Sequence, residues 1–375
     1  MKYCKKCVQP DTRPGVKFNS KGVCLACVFA KETEESVDWQ SRRQELEEIA
    51  EFGRKNNVSG YDCIVGVSGG KDSTRQSIFV RDELGLKPLL VSCQYPPEQL
   101  AERGAHNISN LISLGFDCIT IAPSPKVWKE LMLQGFLKYG NWCKSTEMAL
   151  YASAPKMAIA YHIPLVFLGE NPAIALGDTG VGSVTGDANR MKYYHTLQGG
   201  DPKHNKLVTE SMTDQDLILY TYPSDDEIEW AKLRIVYLGY YIKDFTRFKN
   251  AEFAVERGLE IRSNLPEDIG DIYGFGALDE DYVVVNQMLK YLKFGFGQVT
   301  DQTAEAVRLK MMSREKAIEF VKKYDGKCAD RFIKRFCKYL GISEKKFWKV
   351  AESFRSKNIW EKNSEGNWKL KVELV

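Results

Sequence analysis

The sequence predicts an α/β protein: a parallel sheet, preceded by a small zinc knuckle and followed by a helical region. Three observations carry that prediction. Two CxxC pairs stand in the first thirty residues. Four short apolar runs, CIVGV, PLLVSC, CITIAP and PLVFLGE, follow with helical stretches between them, and from about residue 225 one amphipathic helical pattern succeeds another. The corresponding units are 1–37, 38–224 and 225–375. At 375 residues the chain exceeds the usual size of one domain, and 43% apolar with 27% charged residues is the composition of a protein that folds by burial.

The knuckle comes first. Cys4 and Cys7 form one pair and Cys24 and Cys27 the other, with sixteen residues between the pairs, within the range of a four-cysteine zinc site. A segment holding Pro10, Pro14, Gly15 and Gly22 has too few apolar residues for a core of its own. Thiolate coordination of Zn²⁺, worth on the order of 10–16 kcal/mol in comparable peptides, would take the place of that core. Four thiolates leave no open position, so the zinc is read as structural. Of the other cysteines, 63, 93, 118, 328 and 337 sit in apolar surroundings and read as core residues, while Cys143, in NWCKST, stands apart.

Trp39, Leu46, Ile49 and Phe52 recur at helical spacing and predict a helix over 38–56. The apolar runs at 63–67, 88–93, 118–123 and 164–170 suit parallel strands buried on both faces, with LILYTYP (217–223) as a candidate fifth. Residues 172–206, rich in Gly, Asp, Asn and Thr without periodicity, read as a functional loop, a lid over a substrate. Beyond 225, helices are broken at Gly258, Pro266, Gly326 and Gly341.

Between the first strand and its following helix lies SGGKDS. Ser68, Gly69, Gly70 and Lys71 turn tightly, Asp72 and Ser73 can cap the helix, and the turn presents bare amides and a positive helix end to an anion, with the Lys71 ammonium beside them. It is not a Walker loop, because Lys71 is followed by Asp and Val65 stands where the first glycine is required. The GxGxxG fingerprint is also missing.

SGGKDS after a first strand resembles the PP-loop of the ATP pyrophosphatases, the adenine nucleotide α-hydrolase-like superfamily of asparagine, GMP and NAD synthetases and tRNA thiolases. The resemblance implies ATP cleaved between its α and β phosphates, with pyrophosphate and Mg²⁺ held at residues 68–73 and Lys71, Asp72 and Ser73 as catalytic groups. It also implies adenine lined by Val91 and Ser92, and phosphates faced by Gly169, Glu170 and Asn171. Glu170 reads as a Mg²⁺ ligand, with a capping or salt-bridged carboxylate as the alternative.

The chain as a whole is similar to the N-acetyl sugar amidotransferases of lipopolysaccharide (O-antigen) and flagellar-glycan biosynthesis, through YCKKCVQPDTRPGVKFNSKGVCLAC, SGGKDS, LGYYIKDFTRF and KFGFGQVTDQTAEAVRLKMMSREKAIEFVKKYDG. That likeness implies an acetamido group on a nucleotide-linked sugar converted to acetamidino. The ammonia would come from a partner glutaminase with a cyclase-like subunit, and no glutaminase signature is visible in the chain itself. A tRNA thiolase is the alternative; those enzymes add a cysteine pair near the site, whereas Cys143 stands alone.

Candidate substrate residues are Trp142, Cys143, Lys144 and Glu147 at a loop-to-helix junction, and Asp178, Asp187, Asn189, Arg190 and His195 in the polar loop. Arg308, Lys310 and Arg314 read as a solvated basic face. With 53 basic and 50 acidic residues, the charge of +3 supplies little of the attraction a nucleic-acid binder uses. No apolar run approaches the ~18 residues of a membrane span. MKYCKKC lacks an apolar export core, so a cytoplasmic location is expected.

Overall fold

The computed structural model describes residues 1–179 and 184–375. After the knuckle come α1 (Leu25–Glu35) and α2 (Trp39–Lys55), the second opened by Asp38, whose carboxylate accepts from the amides of Gln40 and Ser41 at 3.0 Å. Then follow β1 (Cys63–Val67), α3 (Lys71–Ile78), β2 (Pro88–Cys93), α4 (Glu102–Ser113), β3 (Cys118–Ile121), α5 (Pro125–Tyr139), α6 (Cys143–Ala160) and β4 (Leu165–Leu168). Three short helices, α7 (Pro172–Leu176), α8 (Asp214–Leu217) and α9 (Asp225–Trp230), lead to β5 (Arg234–Tyr237). The remainder is α10 (Arg247–Val255), α11 (Pro266–Ile269), α12 (Val283–Phe294), α13 (Gln298–Arg308), α14 (Arg314–Tyr324), α15 (Asp330–Leu340), α16 (Glu344–Ser353) and a hairpin of β6 (Trp360–Lys362) and β7 (Trp368–Leu370).

The sheet is parallel throughout, in the order β3-β2-β1-β4-β5. Its winding reverses between β1 and β4, which opens a crevice at the carboxyl ends of those two strands. Alternate side chains enter two cores, as strands buried on both faces require. Ile64, Leu89, Val91, Val166 and Ile235 meet Trp128, Phe136 and Met148 of α5 and α6; Val65, Leu90, Phe167 and Val236 meet Leu46 and Ile49 of α2. The C-terminal helices extend the first core, where Phe347 stacks on Phe136 at 5.3 Å and Phe336 meets the same ring edge-on at 5.7 Å.

The fifth strand is not LILYTYP. Thr213 and Asp216 form a capping box that starts a helical turn ending at Leu217, and Tyr220 and Tyr222 then fill the core from a turn. RIVY takes the sheet position, entering it through Arg234 N donating to Pro164 O at 2.8 Å and pairing Leu168 with Tyr237. The sheet therefore crosses the 224/225 boundary and ends at Tyr237.

Candidate active site

The phosphate loop is shaped by what its glycines approach. Gly69 has φ +80°, and a Cβ there would lie 2.8 Å from the Ile108 amide nitrogen on α4, so only glycine lets the turn pass. Gly70 is the N-cap of α3 in extended conformation and offers no side chain. Ser73 does not cap the helix as expected; its hydroxyl accepts from Ser68 N at 3.0 Å and closes the loop on itself. The first-turn amides of α3, which have no acceptor within the helix, are left for an anion. Lys71 pairs with neighbouring Asp72, whose other oxygen accepts from Asn250 Nδ2 of α10 at 2.8 Å.

The crevice opens into a cavity of about 770 Å³. At its loop end are Asp72, Gln76, Gly169 and Glu170. The Glu170 carboxyl is pushed up, first by burial and then by the charge of Asp72, against the pull of Lys71 and Arg247. A buried carboxyl raised by a neighbouring carboxylate suits a divalent cation between the two, and Asp72 and Glu170 would hold Mg²⁺ through oxygen. Further along the wall are Lys144, Glu147, Asp178 and His195. His195 Nδ1 lies 2.9 Å from Asp178 Oδ2. Burial pushes the Glu147 carboxyl up to about 7, against the charges of His195 and Lys144. Gln76 Oε1, Asn141 Oδ1, Glu147 Oε2 and Asn286 Oδ1, all on cavity-lining residues, have no hydrogen-bond partner among the described residues.

Seven of the expected residues thus share one cavity: Asp72, Lys144, Glu147, Gly169, Glu170, Asp178 and His195. Ser68, Gly69, Gly70, Lys71 and Ser73 form the loop beside it. The others stand elsewhere. Val91 and Ser92 are 2% and 5% exposed within β2, with Ser92 paired between Val67 and Thr120, and neither lines the cavity. Asn171 caps α7, accepting from Ala173 N at 2.8 Å and donating to Thr185 O at 2.7 Å. Trp142 is a core residue whose Nε1 donates to Tyr282 O at 3.0 Å. Cys143 packs against the same core, and burial pushes its thiol well up.

The polar loop divides. Asp178 and His195 reach the cavity, whereas Asp187 and Arg190 are exposed, Asp187 accepting from Asn189 N at 2.9 Å and Arg190 lying over the Tyr193 ring. Asn189 accepts from Ile235 N at 2.8 Å and so completes the sheet edge. Met191, Tyr194 and Leu197 sink into the core, so this stretch is packed structure and not a polar flap. Residues 180–183 of the expected lid lie outside the described residues.

Residues that local pattern did not reveal complete the wall: Arg13 from the knuckle, Tyr151 from α6, and Lys290 and Lys293 from α12. Arg13 pairs with Asp301, which also accepts from Lys290 Nζ at 2.8 Å. Arg308 and Arg314 are not a solvated face. Arg308 donates to Ala175 O at 3.2 Å, and Arg314 Nε to Cys7 O at 3.3 Å, so both brace the knuckle region; only Lys310, paired with Glu34, is exposed.

The four knuckle cysteines are buried, with their sulfurs within 4.8 Å of one another. Cys4 and Cys27 are 3.9 Å apart and Cys7 and Cys24 3.7 Å, close to the ~3.8 Å edge of a tetrahedron with ~2.3 Å Zn–S bonds. Amides of Lys6, Gln9 and Cys24 point at the sulfurs from 3.3–3.4 Å, the direction that favours thiolates. This donor set fits zinc. The knuckle also touches the site, because Gly15, at φ +78°, lies so close to Asp178 that a Cβ would overlap its carboxylate.

Residues 243–374 match the model of a family described as LPS biosynthesis protein WbpG-like, C-terminal domain. No curated protein matches the chain significantly. Among solved structures, an NMN synthetase from Francisella tularensis is 15% identical over 61% of this chain and 100% of its own, at a TM-score of 0.29. An NH3-dependent NAD synthetase from Campylobacter jejuni subsp. jejuni NCTC 11168, in complex with the nitrate ion, is 14% identical with the same coverage and TM-score. No helix among the described residues is long and apolar enough to cross a membrane.

Proposed function

We propose that this chain, whose residues 243–374 match the model of the WbpG-like family of LPS biosynthesis proteins, is an ATP-dependent amidotransferase acting on the acetamido group of a nucleotide-linked sugar. An amide carbonyl is too poor an electrophile for ammonia to displace its oxygen unaided. In the proposed reaction that oxygen attacks the α-phosphorus of ATP and the bond to pyrophosphate breaks, leaving an imidate-like carbon bonded through oxygen to AMP. Ammonia adds to this carbon, one proton leaves the new nitrogen, the C–O bond to AMP breaks, and an acetamidino group remains.

The observation that carries the reading is the loop of open amides at the β1/β4 crevice, facing the same cavity as Asp72, Glu170 and a wall of hydrogen-bond acceptors. The α3 amides and Lys71 would stabilise the departing pyrophosphate, with Lys71 turning from Asp72 to the phosphate, and Mg²⁺ would neutralise charge there. Glu147, with its carboxyl near 7, and His195, oriented by Asp178, are suited to take the proton from attacking ammonia. The acceptors Asn141 Oδ1 and Asn286 Oδ1 suit sugar hydroxyls. A cavity near the upper end of the ~300–1,000 Å³ range of small-molecule sites suits two substrates bound together. Ammonia would come from a glutaminase with a cyclase-like subunit, in the cytoplasm where ATP and nucleotide sugars are available.

The test incubates the full chain with ATP, ammonium chloride and a panel of acetamido sugar nucleotides. AMP, pyrophosphate and a product with oxygen replaced by NH are expected, and Lys71→Ala should lower the rate about 10²–10³-fold. ADP in place of AMP, or full activity in Lys71→Ala, would remove the proposal.

A further inference from the structure

The cavity has a second end, away from the phosphate loop, where two ammonium groups converge on one residue. Lys144, in the first turn of α6, is only 5% exposed; its Nζ donates to Thr196 O and Gln198 Oε1, each at 3.0 Å, and lies 5.0 Å from the centre of the Tyr139 ring. Lys293 of α12 reaches Tyr139 as well, its Nζ donating to the Tyr139 carbonyl at 2.5 Å. Both cations rest on neutral oxygens, and neither forms an ion pair with a carboxylate among the described residues. Lys290, one turn earlier on α12, differs, since Asp301 compensates it.

The two ammonium groups oppose each other. Burial first, and then the charge of Lys144, push Lys293 down to about 8, and burial lowers Lys144. The nearest acid, Glu147, makes no ion pair with Lys144 and is itself pushed up to about 7. Buried positive charge without a counter-ion is costly, and it persists where a ligand supplies the anion.

Their place along the cavity indicates which anion. Lys144, Glu147 and Tyr151 occupy positions i, i+3 and i+7 of α6, one stripe about 10 Å long. Past Tyr151 on the same helix, the Ala154 Cβ lies 3.4 Å from where a Cβ on Gly66 would stand, at the end of β1 two residues before the loop, so the Tyr151 end of the stripe is the one beside the loop. The ammonium pair and the loop therefore stand at opposite ends of this stripe. With an acetamido oxygen at the loop end, against the α-phosphorus of ATP, the other phosphate-bearing part of the substrate lies roughly one sugar ring away, toward Lys144 and Lys293.

We infer that Lys144 and Lys293 bind the diphosphate joining the sugar to its nucleotide, and so set the preference for nucleotide-linked over free acetamido sugars. The inference rests on the amidotransferase reading for the identity of the substrate, but the diphosphate site itself can be measured without turnover. Lys293 also sits where it stabilises the carbonyl end of α5, a role that would affect melting and leave ligand affinity alone. That role does not involve Lys144.

The experiment titrates UDP and CDP, and separately ATP, into the zinc-loaded full chain by calorimetry, in wild type, Lys144→Gln, Lys293→Met, Lys144→Arg and Lys293→Arg. The neutral variants should weaken nucleoside diphosphate binding at least about tenfold, with both Arg variants retaining it and ATP affinity nearly unchanged. In turnover, KM for the sugar nucleotide should rise by a similar factor with kcat little altered. Should no sugar nucleotide be consumed while UDP or CDP affinity still depends on both lysines, the reaction proposed above fails and the diphosphate site stands. Wild-type protein that binds neither diphosphate overturns the site. So do neutral variants that melt normally and bind as tightly as wild type, a parallel loss of ATP affinity, or equal use of free acetamido sugars. If Lys293→Met fails to fold, Lys144→Gln decides alone.

Discussion

Between Cys4 and Glu35 the buried apolar side chains are four cysteines, Val8, Pro10 and Ala26, whereas each strand of the sheet from β1 to β5 contributes large aliphatic or aromatic residues to a core. The knuckle borrows Ala304, Ala317 and Leu374 from the C-terminal region and still assembles little apolar area. The two regions meet at one cavity. Arg13 and Pro14 line it from the knuckle, Gly66, Leu168 and Tyr237 from the sheet, and Gly15 abuts Asp178, the residue that holds His195. The difference teaches that one part of the site's wall comes from a segment whose buried groups are mostly sulfur donors, while another comes from strands held by the hydrophobic effect. Perturbations should therefore separate them.

The largest expected effect is removal of the metal. Chelation, or Cys7→Ser, should cost the knuckle most of a contribution on the order of 10 kcal/mol. Limited proteolysis should then cut within residues 1–37, and the proposed activity should disappear as Arg13 and the Gly15–Asp178 contact leave the cavity wall. The main thermal transition, which belongs to the sheet, should persist. A metal-free chain that keeps both a protected N-terminus and full activity would show that the knuckle needs no zinc.

The converse change strikes the sheet. Phe167 on β4 is fully buried between β1 and β5, and Phe167→Ala should destabilise the sheet by about 3–5 kcal/mol through lost burial and the cavity left behind. Zinc content, measured by metal analysis on the folded variant, should stay at the wild-type level. Loss of zinc in step with sheet stability would mean that the two regions form one cooperative unit, and the contrast drawn above would not hold.

The same contrast explains how much was legible in the sequence. β1 to β4 could be read because strands buried on both faces are continuous apolar runs. β5 could not, since it has four residues, begins with the charged Arg234 and lies in a stretch dominated by helical patterns. The four-cysteine cluster and the tight turn after β1 were readable because their residues are contiguous, in CxxC pairs and in SGGKDS. Arg13, Asn250, Lys290 and Lys293 carry no local signature, because each reaches the site through packing between segments distant in sequence. Asp187 and Arg190 were selected for polarity, which a turn bond and a ring contact satisfy equally well, and Asn171 for its place after the fourth strand, where it caps a helix instead.

The smallest effect is one of pH, and it concerns the wall between the two regions. Glu147 has its carboxyl raised by burial from about 4.5 to about 7. Between those values the folded chain holds a proton there that the unfolded chain has lost, so stability falls as pH rises through this window. At neutral pH the loss is about 1–3 kcal/mol, the lower figure reflecting water within the cavity. Glu147→Gln, which carries no charge to desolvate, should show a flatter melting temperature between pH 5 and 7.5, read by calorimetry on folded protein. If Glu147 takes the proton from ammonia, the same variant should lose about 10²-fold or more in rate and the rise in activity centred near pH 7. A Gln variant with wild-type pH dependence in both melting and rate would show that this carboxyl ionises freely and takes no part in the proton transfer.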